Sequence, residues 1–277
     1  MSIVEENLNI LFNKRGSLRF KEINEILSTL NIDKNNEDLI RKVSKELSND
    51  KRKNVISLGV KLKNKLNKYL KEFERVQNMY LFDKSFGEYN YVAGVDEVGR
   101  GPLAGPIVSA AVVLNLKDSE DIILEINDSK KLNEKKRNYL SDLIKEKAIS
   151  YNIALLDNQE IDKKGIAYCN NKIFIEACNG LSVNPDLVLS DGYIIKHFNI
   201  LNKSVIKGDA KSASIACASI IAKVYRDNIM KEYSKEYPGY DFAQNVGYGT
   251  QKHIEAIKEI GATKIHRMSF LQNILSK

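Results

Sequence analysis

The chain is 277 residues long, with a formal charge of +7 and an apolar content of 43%, enough for one large domain or two small ones with a buried core. Its longest apolar runs, such as 107–114, fall far short of a membrane span, and the opening residues lack the basic-then-apolar order of a signal peptide, so a cytoplasmic place is expected. Cys169, Cys178 and Cys217 show no metal-finger spacing and leave an odd one over, which points to reduced thiols.

Residues 1–87 carry 18 Lys and Arg against 12 Asp and Glu, while residues 88–277 carry 25 against 24. The basic excess therefore lies in the amino-terminal third. It suits an anionic partner, nucleic acid or an acidic membrane surface, and equally a solvated helix face. This third reads as helical. From Lys51 to Lys71 there are eight basic residues and no acid. Across the same stretch Val55, Leu58, Leu62, Leu66, Tyr69, Phe73, Val76 and Tyr80 recur at steps of three and four, one apolar stripe on a long helix. Gly59 lies inside the stripe and is the place for a bend or break. Residues 84–90, KSFGEYN, hold the expected linker, so a helical basic extension over 1–87 precedes a main domain over 88–277.

From Tyr91 the texture changes. YVAGV and IVSAAVVL are β-rich runs joined by a turn rich in glycine and proline, a predicted strand pair. Residues 149–156 and 186–192 are further strand candidates, with helices predicted at 133–148, about 166–180, about 212–235 and in KHIEAIKEIG, where Gly261 is a C-cap candidate. Strands interleaved with helices give an α/β domain with a mixed sheet.

Acidic residues stand at the ends of these runs. Asp96 and Glu97 are adjacent in GVDEVGRG; Asp191 closes LVLS and precedes Gly192; Asp209 lies between a strand-like stretch and a helix; Asp128 opens NDSKKLNEKKR. An acid just past a buried strand often sits at the rim where α/β folds collect their sites. Carboxylates with little His or Cys make a hard-cation site of the Mg²⁺ or Mn²⁺ kind. Singly, Asp191-Gly192 also reads as a turn and Asp209 as a helix N-cap. Neighbouring strand side chains face opposite ways, so for both Asp96 and Glu97 to serve one ion the strand should end or bulge there. Lys130, Lys131, Lys135, Lys136 and Arg137 edge the group with positive charge, which suits a phosphodiester. Ser212 and Ser214 read as helix-cap or phosphate-contact residues, and His197, His253 and His266 as structural or phosphate-side groups.

Six blocks in order, VAGVDEVGRGPLAGPIVSAAVVL, INDSKKLNEKKR, LSDG, IKGDAKSASIACASIIAKVYRD, YPGYDFAQNVGYGT and IHRMSF, resemble bacterial ribonuclease HII over about residues 88–270. The resemblance implies an RNase H-like fold, a mixed sheet flanked by helices. It implies endonucleolytic cleavage of RNA in RNA–DNA hybrids and on the 5′ side of a single ribonucleotide in duplex DNA, leaving a 3′-hydroxyl and a 5′-phosphate, with Mn²⁺ or Mg²⁺ as cofactor. Carried over, Asp96, Glu97, Asp191 and Asp209 look like the catalytic, metal-binding carboxylates. Gly99, Arg100 and Gly101 look like the loop that senses the ribose 2′-hydroxyl. Tyr248 looks like the aromatic that packs on the next deoxyribose, and Lys130 and Lys131 like phosphate contacts. Asp227 belongs to a family block and reads as structural; Val246 stands where the family leads one to expect a basic residue. The implied partners are RNA–DNA hybrid and ribonucleotide-containing duplex DNA, acted on by a monomer with no membrane role. The competing readings are a ribonuclease HIII, whose signature loop lacks the arginine present here as Arg100, and a catalytically silent hybrid binder, which requires a lost carboxylate. A membrane-surface role for residues 45–75 is a third.

Overall fold

The computed structural model describes residues 10–13, 15–118 and 121–275; the signal-peptide reading of residues 1–16 falls largely outside these. Contacts divide the chain into two compact units, Met1–Arg75 and Val76–Lys277.

In the first unit, helices α1 (Phe20–Ser28), α2 (Glu37–Ser48) and the start of α3 (Lys53–Lys84) bury Ile23, Ile26, Ile40, Val43, Leu47, Val55, Leu62 and Leu66 in one core. The predicted stripe thus faces inward. The expected break at Gly59 does not occur, because α3 runs through it. Glycine serves close approach there instead: Ser44 Oγ donates to the Gly59 carbonyl at 2.8 Å, and a Cβ at this position would stand 2.8 Å from the Ser44 carbonyl oxygen. Asp50 accepts from Arg52 Nε at 2.9 Å, and this bond is the main reason its carboxyl lies well below the usual carboxylate range.

The second unit is built on a sheet of β1 (Val92–Val98), β2 (Ile107–Val113), β3 (Ser150–Leu156), β4 (Leu187–Asp191) and β5 (Asn202–Val205) in the order β3-β2-β1-β4-β5. β1–β2 and β2–β3 are antiparallel, β1–β4 and β4–β5 parallel, the mixed sheet the sequence predicts. Between strands lie α4 (Glu134–Lys147), α5 (Asn158–Lys164) and α6 (Ile166–Asn179); α7 (Gly208–Lys211), α8 (Ala213–Glu236), α9 (Phe242–Asn245), α10 (Gln251–Ile260) and α11 (Met268–Leu275) follow.

Period-two alternation along β1 decides which helix covers which face. Ala93 and Val95, with Ala111 and Val113 of β2, pack on Ile173, Phe174 and Ala177 of α6. Val92 joins the cluster of Leu187, Leu189 and Ile215, and Gly94 meets α8 so closely that a Cβ would stand 2.2 Å from Ile215 N. No helix among the described residues is long and apolar enough to cross a membrane.

Candidate active site

The rim at the carboxyl ends of β1 and β4 arises because β4 stops first. β1–β4 pairing ends at Val95↔Ser190, so one more step of the register sets Asp96 beside Asp191, the last residue of β4. The sequence demand that β1 end or bulge at Asp96-Glu97 is not met. β1 continues to Val98, with Asp96↔Ala110, Glu97↔Ser109 and Val98↔Val108 in unbroken register with β2. The two carboxylates therefore alternate. Asp96 takes the α8 side, where it is buried and hydrogen-bonded by Ser219; Glu97 reaches the cleft at the strand ends.

Glu97, Asp191 and Asp209 line one cleft of about 640 Å³ together with Asp128, Lys131, Tyr193, Ile206 and Lys207. Gly208 N donates to Asp191 Oδ1 at 2.7 Å, so the turn that brings Asp209 in also fixes Asp191. The alternative of Asp209 as the long helix's cap falls away: that position is Ser212, whose side chain accepts from Ile215 N, while Asp209 lies in short α7. Asp128 joins the cleft as the cap of a tight turn, accepting from Lys130 N at 2.9 Å. Lys131 lines the cleft; Lys130 does not, yet its charge acts on Glu97 and Asp209. Lys136 is taken up by Glu125, and Arg137 pairs with Asp227 at 3.7 Å, as Lys223 does at 2.8 Å. Asp227 is thus a structural anion.

Burial, with repulsion from Glu97 and Asp191, drives the Asp96 carboxyl well above its ordinary range. Burial likewise pushes Glu97 up to about 7, opposed by Arg100 and reinforced by Asp191. Asp209 is raised by burial, Asp128 and Asp191. Among the described residues Glu97 Oε2 is buried without a hydrogen-bond partner, and Glu97 Oε1 forms an ion pair with Arg100 Nη1 at 3.7 Å. Oxygen donors that repel one another around an orphan carboxylate oxygen fit a hard divalent cation. As the side chains stand, no three His, Cys, Asp or Glu groups among the described residues are gathered closely enough to hold one.

A carboxyl whose folded value is raised holds its proton longer in the native state, so its stabilising contribution is complete below the unfolded value and fades as pH climbs through the folded one. With Glu97 moving from 4.5 to about 7, Glu97→Gln in chelator should match the parent chain near pH 4. By pH 8 the variant should exceed it by up to about 3 kcal/mol. Urea denaturation at the two pH values checks this; equal stability at both would remove the charge crowding inferred here.

Arg100 lies with its guanidinium carbon 4.4 Å over the Tyr193 ring, a contact the sequence did not signal. Gly99 adopts φ +94°, a conformation open to glycine, and Gly101 packs near Tyr248, whose Cε1 would lie 3.8 Å from a Cβ there. Tyr248, 42% exposed, presents its ring to solvent. Its backbone ends a relay whose direction follows from donor chemistry. Thr263 N donates to His266 Nδ1 at 2.9 Å, which leaves the His266 proton on Nε2 facing His253 Nε2 at 3.0 Å. The His253 proton then sits on Nδ1, directed at the Tyr248 carbonyl 2.9 Å away. Both imidazoles are neutral, burial first of all lowering His266 to about 4 and also lowering His253. These two histidines buttress the Tyr248 turn.

α8 ties the parts together. Ser219 reaches Asp96 and meets Ser129 Oγ at 3.0 Å. Two turns further along the same face, buried Arg226 reaches the turn between β1 and β2. Arg226, buried Arg267 and buried Asp83, which accepts from Ser214 N at 2.8 Å, are absent from the sequence-derived site. Arg226 and Arg267 stand inside the blocks IKGDAKSASIACASIIAKVYRD and IHRMSF, while Asp83 had only the apolar run before it as a signal.

Two family models match the chain: Ribonuclease HII N-terminal domain over residues 20–87 and Ribonuclease HII over residues 93–273. A ribonuclease HII of Clostridium perfringens is 64% identical over 272 residues, covering 98% of this chain and 97% of that protein. The ribonuclease H2 of Pyrococcus horikoshii superposes with a TM-score of 0.57 at 27% identity, covering 67% of this chain and 97% of that one. A Bst-RNase HIII solved with Mn²⁺ gives a TM-score of 0.50 at 19% identity, covering 67% of this chain and 69% of that one, a likeness of fold.

Proposed function

The chain belongs to the ribonuclease HII family, and from that premise we propose that its cleft cuts the RNA strand of RNA–DNA hybrids and the 5′ side of a single ribonucleotide in duplex DNA, leaving a 3′-hydroxyl and a 5′-phosphate. The observation that carries this reading is the meeting of Glu97, Asp191 and Asp209 in one cleft edged by Lys131, with Asp96 in electrostatic contact with Glu97 and Asp191. A basic extension over 1–87, a main domain over 88–277 and a cytoplasmic monomer belong to the same reading.

Asp96, Glu97, Asp191 and Asp209 would hold Mn²⁺ or Mg²⁺, which when bound supplies Lewis-acid stabilisation of charge at the scissile phosphate and acidifies the attacking water. The chain's own groups do the placing. Gly208 N holds the Asp191 carboxylate, and Ser219 holds that of Asp96, so neither has to be ordered at the moment of reaction. Lys130 and Lys131 add positive charge for the phosphate backbone. Gly99 and Gly101 let the backbone come against a sugar, and the 2′-hydroxyl is the group by which RNA differs from DNA. Tyr248, beside Gly101, offers a flat face to the neighbouring deoxyribose.

Matches to the HII models over both parts of the chain, together with Arg100 between its two glycines, favour this reading over an HIII-type enzyme. A labelled DNA duplex with one ribonucleotide, incubated in Mg²⁺ and separately in Mn²⁺, should give a single cut 5′ of the ribonucleotide. Cleavage of a long hybrid with this duplex left whole would remove the role given to Arg100, and no cleavage of either by folded protein would leave the silent binder.

A further inference from the structure

We propose that Arg267 and Arg226 are positioning residues for ribose recognition, two buried guanidinium groups that hold the Gly99–Gly101 loop and the Tyr248 turn as one rigid reader. This rests on the reading above that the loop senses the 2′-hydroxyl.

Both side chains are fully buried, and their hydrogen bonds go to backbone carbonyls. Arg267 donates from Nη2 to Gly99 O at 2.6 Å and to Gly105 O at 2.9 Å, from Nη1 to Arg100 O at 3.0 Å and from Nε to Gly105 O at 3.0 Å. Arg226 donates from Nε to Pro106 O at 2.9 Å, from Nη2 to Ala104 O at 3.2 Å and from Nη1 to Val246 O at 2.8 Å. Every carbonyl so held belongs to the turn between β1 and β2 or stands two residues before Tyr248. A buried cation is costly unless it is well hydrogen-bonded, and only the planar five-donor fork of arginine fixes several carbonyls at once.

The backbone is stitched at the same places. Leu103 N donates to Gly247 O at 2.8 Å, Gly105 N to Ile265 O at 2.9 Å and Arg267 N to Leu103 O at 2.8 Å. Glycines make the room: a Cβ on Gly99 would stand 2.3 Å from Arg226 Nε, and one on Gly247 2.4 Å from Ala104 O. Val246 has φ +44°, a strained state for a β-branched residue that persists only where its surroundings enforce it. The Arg226 bond to its carbonyl is part of that enforcement.

Lysine keeps the charge and loses the fork, so Arg267→Lys isolates the geometry. Steady-state cleavage of the single-ribonucleotide duplex is measured for the parent chain, Arg267→Lys, Arg100→Ala and the double variant, with the melting temperature of each. We expect kcat to fall about 100-fold in Arg267→Lys with KM little changed, the scale of loss when reacting groups shift by about 1 Å. The double variant should be no worse than the poorer single one, because both changes act through one loop. Losses that multiply, or a lowered melting temperature with kcat intact, would overturn the proposal. If Arg267→Lys fails to fold, Arg226→Lys enters the same cycle, and failure of both to fold also overturns it by making the pair a general staple. The underlying reading fails separately, through Arg100→Ala alone leaving cleavage at the ribonucleotide intact.

Discussion

Asp96→Asn should abolish cleavage and at the same time raise the melting temperature of the metal-free protein. The carboxyl is buried, 6% exposed, and burial with repulsion from Glu97 and Asp191 raises it well above its ordinary range, so at neutral pH this side chain costs folding energy that an amide would not. Asparagine keeps an oxygen for the Glu97 N–H that now donates to Asp96 Oδ1 at 2.8 Å and removes the charge. Each kcal/mol recovered shifts the melting temperature by about 2–4 °C in a chain of this size. Activity moves the other way, because the repulsion that costs stability is the field that would hold a divalent cation. Losing about 4 kcal/mol of charge stabilisation lowers the rate about a thousandfold. Thermal scans with chelator and with Mn²⁺, beside cleavage assays, check both halves. The parent chain should gain far more from Mn²⁺ than the variant. A variant that loses activity and melts lower in chelator would mean that Asp96 acts as a structural anion.

The second large effect lies one strand position pair away and involves no charge. Gly94 faces the start of α8, and a Cβ there would stand 2.2 Å from Ile215 N and from the Ser214 carbonyl carbon. These are backbone atoms and cannot swing aside. They are also pinned, since Ser214 N donates to buried Asp83 at 2.8 Å and Ser212 caps the helix. Gly94→Ala must therefore push β1 and α8 apart. Overpacking of flexible side chains costs about 1–3 kcal/mol, and this backbone contact should reach or exceed about 3 kcal/mol. Because β1 carries Asp96 and α8 carries Ser219, cleavage should fall with stability. Urea unfolding with activity on the same samples tests it, and an alanine variant of ordinary stability would show that the two elements can separate freely.

Much of this was legible in the sequence, for reasons that differ along the chain. β1 and β2 announce themselves because both faces of these central strands are buried, which leaves apolar runs bounded by glycine and proline. α3 was legible from its stripe, although no break follows at Gly59, since a glycine that breaks a helix and one that admits a neighbouring helix look the same in one dimension. The carboxylates stood out because charge at the end of an apolar strand is conspicuous. How Asp96 and Glu97 reach one rim was not legible: it depends on β4 ending at Asp191, a property of the partner strand. Arg226 and Arg267 were invisible as buried groups, because arginine is ordinarily read as surface and their partners are carbonyls, which every residue has. Tyr193 was missed for a similar reason, its stacking with Arg100 joining residues far apart in sequence.

The placement of Ser219 and Arg226 on α8 makes that helix a spacer of fixed phase. Seven residues span about 10 Å and return to nearly the same face, so the distance from carboxylate to ribose reader is written as a residue count. Substitutions between the two positions can be absorbed by packing. One residue added or removed there turns Arg226 by about 100° and strands either the chemistry or the reader. In this stretch length, more than composition, is what descent is obliged to preserve.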